Sequence, residues 1–385
     1  MSEDHETEKH ETPESSQADS QQLDDAQARE QLGITNTGID KKKSIILGII
    51  AVVFLIIVFF RVIPQIGSYS EAAEALENMT MWSIVAIVAA VIFYLWVYGW
   101  PFVASTPGLK YKSGFIVNQS AFAVSNGVPG GGAIGLGLQY AQLTSYRTTP
   151  TAATASIGAT GIWSVFITLF LPVTGVLALT LSGDQAGNYV LAAVIGVAIL
   201  IVVVGLFALI LRSEKNAIRV GHLADKVANW AVHLVKKDKN LDVTSQIIKL
   251  RGDIVELVRR RWIWITITQI AVSWSQFGIL YWALHGVAGD MGAPPVLVAY
   301  GCWAISQLGI MIPITPGGLG TVDAAMIGLM ISMGIDDGTA TAAALVWRAS
   351  SYIPQIIIGL ISIFYWRFDL RRENAKLQKA QANAA

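Results

Sequence analysis

The sequence predicts an all-α integral membrane protein, with six transmembrane helices and two re-entrant Pro-Gly-Gly hairpins in an inverted repeat. Three observations predict it. Of 385 residues 53% are hydrophobic and 14% charged, and the charges gather between apolar runs of about 20 residues, long enough to cross a bilayer core. The loops between those runs alternate between basic and acidic, the pattern that sorts cytoplasmic from external loops. Pro-Gly-Gly occurs twice inside apolar regions, at residues 129–131 and 316–318, where a helix would otherwise continue.

The formal net charge is zero, but two segments oppose each other. Residues 1–40 hold eleven acids against Lys9 and Arg29 and almost no large apolar side chains, which predicts a disordered, acidic cytoplasmic tail. Residues 212–261 hold twelve Lys/Arg against six acids, predicting a basic cytoplasmic connector. Within it Val220, Leu223, Val227, Trp230 and Leu234 form a helical stripe suited to an anionic membrane surface. The single cysteine, Cys302, excludes an internal disulfide and a thiolate metal cluster, and the five His residues have no ligand spacing.

The elements follow in order across a membrane domain expected at residues 41–370. Lys41 to Lys43 hold the N-terminus inside, and Ser44 to Ile63 cross outward. The loop from Gln65 to Thr80 carries Glu71, Glu74 and Glu77 with no Lys or Arg, so it lies outside. Met81 to Ser105 return to Lys110 and Lys112. The segment between Lys112 and Arg147 is too short for two crossings, which need about 40 residues plus a turn. Asn126 to Gly132 also break it. A hairpin entering and leaving on the cytoplasmic side is expected. Thr151 to Ser182 then exit and Tyr189 to Leu211 return. After the connector, Trp262 to Leu284 exit again. Val296 to Met333 are flanked by acidic loops, so the second hairpin enters from outside. Thr339 to Trp366 return, and Arg367, Arg371 and Arg372 anchor a short cytoplasmic tail at 371–385.

The repeat is carried by spacing. Pro129 to Pro316 and Thr151 to Thr339, the two Thr/Ala-rich helix starts, are separated by the same offset to within one position. Each unit, about 81–182 and about 262–366, reads as helix, broken hairpin, helix. Inverted repeats with broken helices place binding sites near the membrane midplane in many transporters. The candidate site is therefore drawn from the two breaks: Asn126, Pro129, Gly130, Gly131 and Gln139 in the first, and Pro316, Gly317, Gly318, Gly320 and Asp323 in the second, with Arg348 in the last helix. An Arg at membrane depth costs at least about 2.5 kcal/mol on insertion scales, so Arg348 should face a partner or a cavity. Asp323 is the nearest acid at that depth. The pair would bind a lipid phosphate or only lock hairpin to helix, and the sequence leaves both open. Gln269, Ser273 and Gln276 share one helix face, suited to helix–helix hydrogen bonds.

Gly130, Gly132 and Gly135 match a dinucleotide fingerprint literally, but no strand precedes them. No Walker lysine, zinc-protease or nucleophile–base pattern is present, so no enzyme, cofactor, metal site or nucleic-acid partner is expected.

At Pro129-Gly-Gly, Thr315-Pro-Gly-Gly-Leu-Gly-Thr-Val-Asp323 and Val346-Trp-Arg348, the sequence resembles the membrane domain of lysylphosphatidylglycerol synthases and their stand-alone, flippase-like relatives. The resemblance runs over about residues 44 to 370. Family members usually carry Glu where Asp323 stands, and Arg348 fits their pattern. Many also carry charges in the first half, where this chain has Gly135-Leu-Gly-Leu and Ala159-Thr-Gly161. The resemblance implies a multi-pass protein of the cell membrane, both termini cytoplasmic. It would flip an aminoacylated phospholipid or a polyprenyl-phosphate-linked sugar between leaflets. The synthases continue into a soluble aminoacyl-transferase domain; only a short tail follows Trp366 in this sequence, so that reaction is not expected here. The competing expectation is a non-transporting scaffold or regulator of an envelope biosynthesis enzyme.

Overall fold

A computed structural model describes residues 77, 79–127, 131–183, 198, 201–202, 204–219, 243–289, 292–311 and 316–384. The tail at 1–40, the expected crossing at 44–63, most of that at 189–211, the 220–234 stripe, Pro129, Gly130, Pro313 and Thr315 lie outside the described residues. Among the described residues the regular elements are all helical.

They run α1 (Met81–Val97), α2 (Trp100–Ser105), α3 (Tyr111–Gly127), α4 (Gly131–Ser145), α5 (Pro150–Leu181), α6 (Val243–Ala288), α7 (Val296–Ser306), α8 (Thr321–Ser332) and α9 (Asp337–Ala384). Short 3₁₀ turns at Gln307–Met311 and Pro316–Gly318 join α7 to α8. Among the described residues, four helical stretches are long and apolar enough to cross a membrane: Met81–Ser105, Pro150–Leu181, Ile254–Ala288 and Asp337–Asp369. The chain is thus a multi-pass helical membrane protein. Outward faces such as Trp82, Val88, Ile92 and Phe93 on α1, and Ile357, Ile361 and Phe364 on α9, leave large apolar side chains exposed, as lipid contact requires.

Helix starts follow local chemistry. Thr149 accepts the Ala152 N–H ahead of Pro150 in the first turn of α5, and Asp336 accepts the Thr339 N–H at the start of α9. These two caps stand at the same offset as the two Pro-Gly-Gly breaks.

Small residues set the close crossings. A Cβ on Gly359 of α9 would overlap the Gln119 carbonyl oxygen of α3, and Gly175 of α5 meets Gly301 of α7 backbone to backbone. A shared core then forms from α1, α5, α6, α7, α8 and α9 around Trp303, Trp347, Leu280 and Met326. Polar ties orient it: Tyr94 donates to Gln355 Oε1, Trp347 Nε1 to the Gln276 carbonyl, and Trp163 Nε1 to Thr266. Two helical hairpins, α3–α4 and α7–α8, pack within this frame. In the first, a Cβ at Gly131 would overlap the Val124 carbonyl oxygen, and Gly135 abuts Ser125. In the second, Gly309 abuts Val322.

Candidate functional site

The second break is built from backbone that most residues resist. Gly317, Gly318 and Gly320 all have positive φ, at 62°, 69° and 83°. Their turn frees backbone groups in an apolar setting, and each described partner is specific. Asp323 Oδ2 accepts the Gly320 N–H at 2.8 Å, closing the first turn of α8. Thr321 Oγ1 reaches the carbonyls of Gly309 and Gly318 at 2.9 and 3.1 Å. The Tyr352 hydroxyl donates to the Gly317 carbonyl at 3.0 Å.

Arg348 Nε donates to Asp323 Oδ1 at 2.7 Å, with side-chain exposures of 3% and 4%. The guanidinium also lies 4.6 Å from the Trp347 ring centroid and 4.9 Å from that of Tyr352. Its Nη2 has no hydrogen-bond partner among the described residues. The expected pair is therefore made, and it is a buried clamp between the hairpin and α9.

The end of α3 meets the second break. Asn126, at the end of α3, donates to the Phe122 carbonyl of its own helix and sets its Oδ1 against Gly317. Asn126, Pro316, Gly317, Gly318, Gly320, Asp323 and Arg348 thus form one cluster. Gly131 instead serves the α3–α4 contact.

Gln139 lies elsewhere, in a cavity of about 340 Å³ walled by α1 to α6 and the 307–311 turn. Its polar lining is uncharged: Asn118, Gln139, Thr160, Ser164, Thr168, Gln269, Ser273, Gln276 and Gln307. Gln269 both lines the cavity and donates to the Thr160 carbonyl, so the helix–helix bond expected of it coexists with a cavity face. The walls do not include Asp323 or Arg348. Tyr94 joins the two regions, lining the cavity while bonding Gln355 on the α9 face that carries Tyr352.

The offset between the two Pro-Gly-Gly motifs relates positions in the two regions. It sets Leu136 opposite Asp323 and Gly161 opposite Arg348, and both Leu136 and Gly161 line the cavity. Where the second half fills its centre with an ion pair, the first half has an aliphatic side chain and no side chain. Both residues are exposed, so this wall opens at the bundle surface between α4 and α5. Sequence reasoning did not find the Tyr352 clamp, the Tyr94–Gln355 bond or this open wall. The signal that existed was the polar i, i+4, i+7 face of Gln269, Ser273 and Gln276.

Comparison with known proteins agrees with the fold. The family described as lysylphosphatidylglycerol synthase TM region matches residues 45–359. A UPF0104 membrane protein of Methanothermobacter thermautotrophicus is 33% identical over 87 residues, which cover 23% of this chain and 24% of that protein.

Removing one partner of a buried ion pair strands the other. Asp323→Asn and Arg348→Gln alone should each cost about 3–5 kcal/mol, and the double variant should recover most of that loss. Thermal unfolding of the detergent-purified proteins measures it; a double variant as unstable as both singles combined would contradict the clamp.

Proposed function

The chain belongs to the lysylphosphatidylglycerol synthase transmembrane family, and on that premise we propose that it translocates a lipid or lipid-linked headgroup between leaflets through the uncharged polar cavity. The observation that carries the reading is the cavity itself. Amides and hydroxyls from several helices converge on a space of about 340 Å³ while some also bond helix backbone, and they suit a hydrogen-bonding headgroup. The open wall between α4 and α5 lets acyl chains stay outside while the headgroup enters. The buried Asp323–Arg348 clamp keeps the second hairpin rigid and is not itself the binding surface.

Six crossings, two re-entrant hairpins and inverted halves form the frame for this movement. Support comes from length and spacing. Helices α3 and α4 have 17 and 15 residues, and α7 and α8 have 11 and 12, each short of the roughly 20 that span a bilayer core. The Pro-Gly-Gly breaks and the caps of α5 and α9 share one offset. Opposite loop charges give the halves opposite orientation. Neither ATP nor a cofactor is part of the proposal. The headgroup could belong to a phospholipid or to a polyprenyl-phosphate-linked sugar.

Two experiments test the proposal. With Cys302→Ser as background, single cysteines at Gly183 and Asp337 should react with a membrane-impermeant thiol reagent from outside, and one at Lys110 only from inside. External reaction at Lys110 would break the inverted frame. Purified protein in liposomes should move a labelled phospholipid or glycolipid between leaflets, and Gln139→Leu with Gln276→Leu should slow that at least about tenfold, at about 1 kcal/mol for each lost hydrogen bond. No movement of any labelled lipid would overturn the transport reading in favour of a scaffold.

A further inference from the structure

At the end of the bundle that the charge rule assigns to the cytoplasm lies a second cavity, of about 520 Å³, separate from the polar cavity. The α2–α3 loop, the α4–α5 loop and the last apolar turn of α9 enclose it. Its lining includes Lys110, Ser113, Arg147, Thr148, Trp366 and Asp369. We propose that it binds the phosphate of an anionic lipid in the inner leaflet, with Lys110 and Arg147 as its cationic ligands.

The backbone at Arg147 is the first argument. Thr148 N–H bonds the Leu143 carbonyl at 3.2 Å and Arg147 N–H bonds the Thr144 carbonyl at 3.0 Å, which is the Schellman closure of α4. The residue between must take positive φ, and Arg147 does so at 62°, alone among the described non-glycine residues. The second half makes the same closure after α8. There Ile335 N–H bonds the Met330 carbonyl and Gly334 N–H bonds the Ile331 carbonyl, with Gly334 at φ 84°. Arg147 and Gly334 are related by the repeat offset, the one that relates Pro129 to Pro316. The fold therefore solves one problem twice, once with the residue the backbone favours and once with one it disfavours. Glycine would relieve the strain at position 147, so the guanidinium serves something other than the turn.

Charge is the second argument. Among the described residues neither the Lys110 nor the Arg147 side chain makes an ion pair or hydrogen bond. Asp369, the acid in the lining, acts electrostatically on Lys112, which lies 4.4 Å over the Tyr365 ring outside the cavity. Two cations and one acid, Asp369, thus face a space large enough for a headgroup phosphate, with the Ser113 and Thr148 hydroxyls beside them. Arg and Lys are the side chains that bind phosphate oxygens. Trp366, donating to Ser145 Oγ at 2.8 Å, sets the cavity at the depth of the interface.

This site rests on the transport reading and deepens it: phosphate at the interface, uncharged headgroup in the cavity beyond. The same oxygens could come from free phosphate, so the test has three probes: short-chain phosphatidylglycerol, short-chain phosphatidylcholine and inorganic phosphate. Detergent-purified protein is titrated with each, reading bound ligand by native mass spectrometry and stability by thermal unfolding. Saturable binding of phosphatidylglycerol is expected, at least about tenfold weaker in Arg147→Gly and in Lys110→Gln. Arg147→Gly should unfold at the same temperature or higher, because its backbone strain is gone. Phosphatidylcholine should bind no better to wild type than to the variants. Saturable binding of inorganic phosphate without any lipid binding would reassign the site to a soluble anion and overturn the lipid proposal. Equal phosphatidylglycerol binding by wild type and both variants would overturn it outright. Binding is read apart from lipid movement, so a protein that binds here but moves no lipid sinks only the transport reading. One that moves lipid with unchanged binding in the variants sinks only this inference.

Discussion

One carboxylate holds the second half of this protein together. Asp323 takes the Gly320 N–H on one oxygen and the Arg348 guanidinium on the other, both buried. A helix broken in lipid must satisfy the backbone groups it frees, because no water does so. Asp323 satisfies one such group and, through Arg348, ties the break to α9, whose Tyr352 takes up the Gly317 carbonyl. The charge that satisfies the turn would be intolerable alone at that depth, and the guanidinium makes it tolerable. Structure and charge balance are here one interaction, a clamp between the break and α9.

The first half uses the same frame without the clamp. Its helix cap, its Pro-Gly-Gly motif and its Schellman closure fall at the shared spacing, but the two positions that would carry charge are Leu136 and Gly161. The space that an acid and an arginine occupy in one half becomes part of a polar cavity in the other. Asn126, at the end of α3, touches Gly317 in the second break, so the two hairpins are in direct contact.

Much of this was legible in the sequence because membranes restrict what residues can do. Apolar runs and loop charges marked Met81 to Ser105, Thr151 to Ser182, Trp262 to Leu284 and Thr339 to Trp366 as crossings, and each matches a long apolar helical stretch. Prolines and glycines marked the breaks, and the rarity of ions in apolar helices singled out Asp323 with Arg348. Tyr352 was not legible, since a tyrosine on a helix face is ordinary until its hydroxyl is seen on a carbonyl. A polar site at the two breaks was expected, but not the walls of this cavity. They depend on Leu136 and Gly161 standing where the other break has an ion pair, and on Gln139 of α4 converging with Gln269 and Gln276 of α6. Arg147 gave no signal as a residue type; the sign of its φ is a property of the folded turn.

The central claim is that a headgroup passes through the uncharged cavity, and blocking that cavity tests it most directly. A single cysteine at Ser273, in a Cys302→Ser background, would be modified by a bulky thiol reagent in protein reconstituted into liposomes with a labelled lipid. Modification should stop lipid movement while the protein remains folded. Undiminished movement after complete modification would contradict the claim.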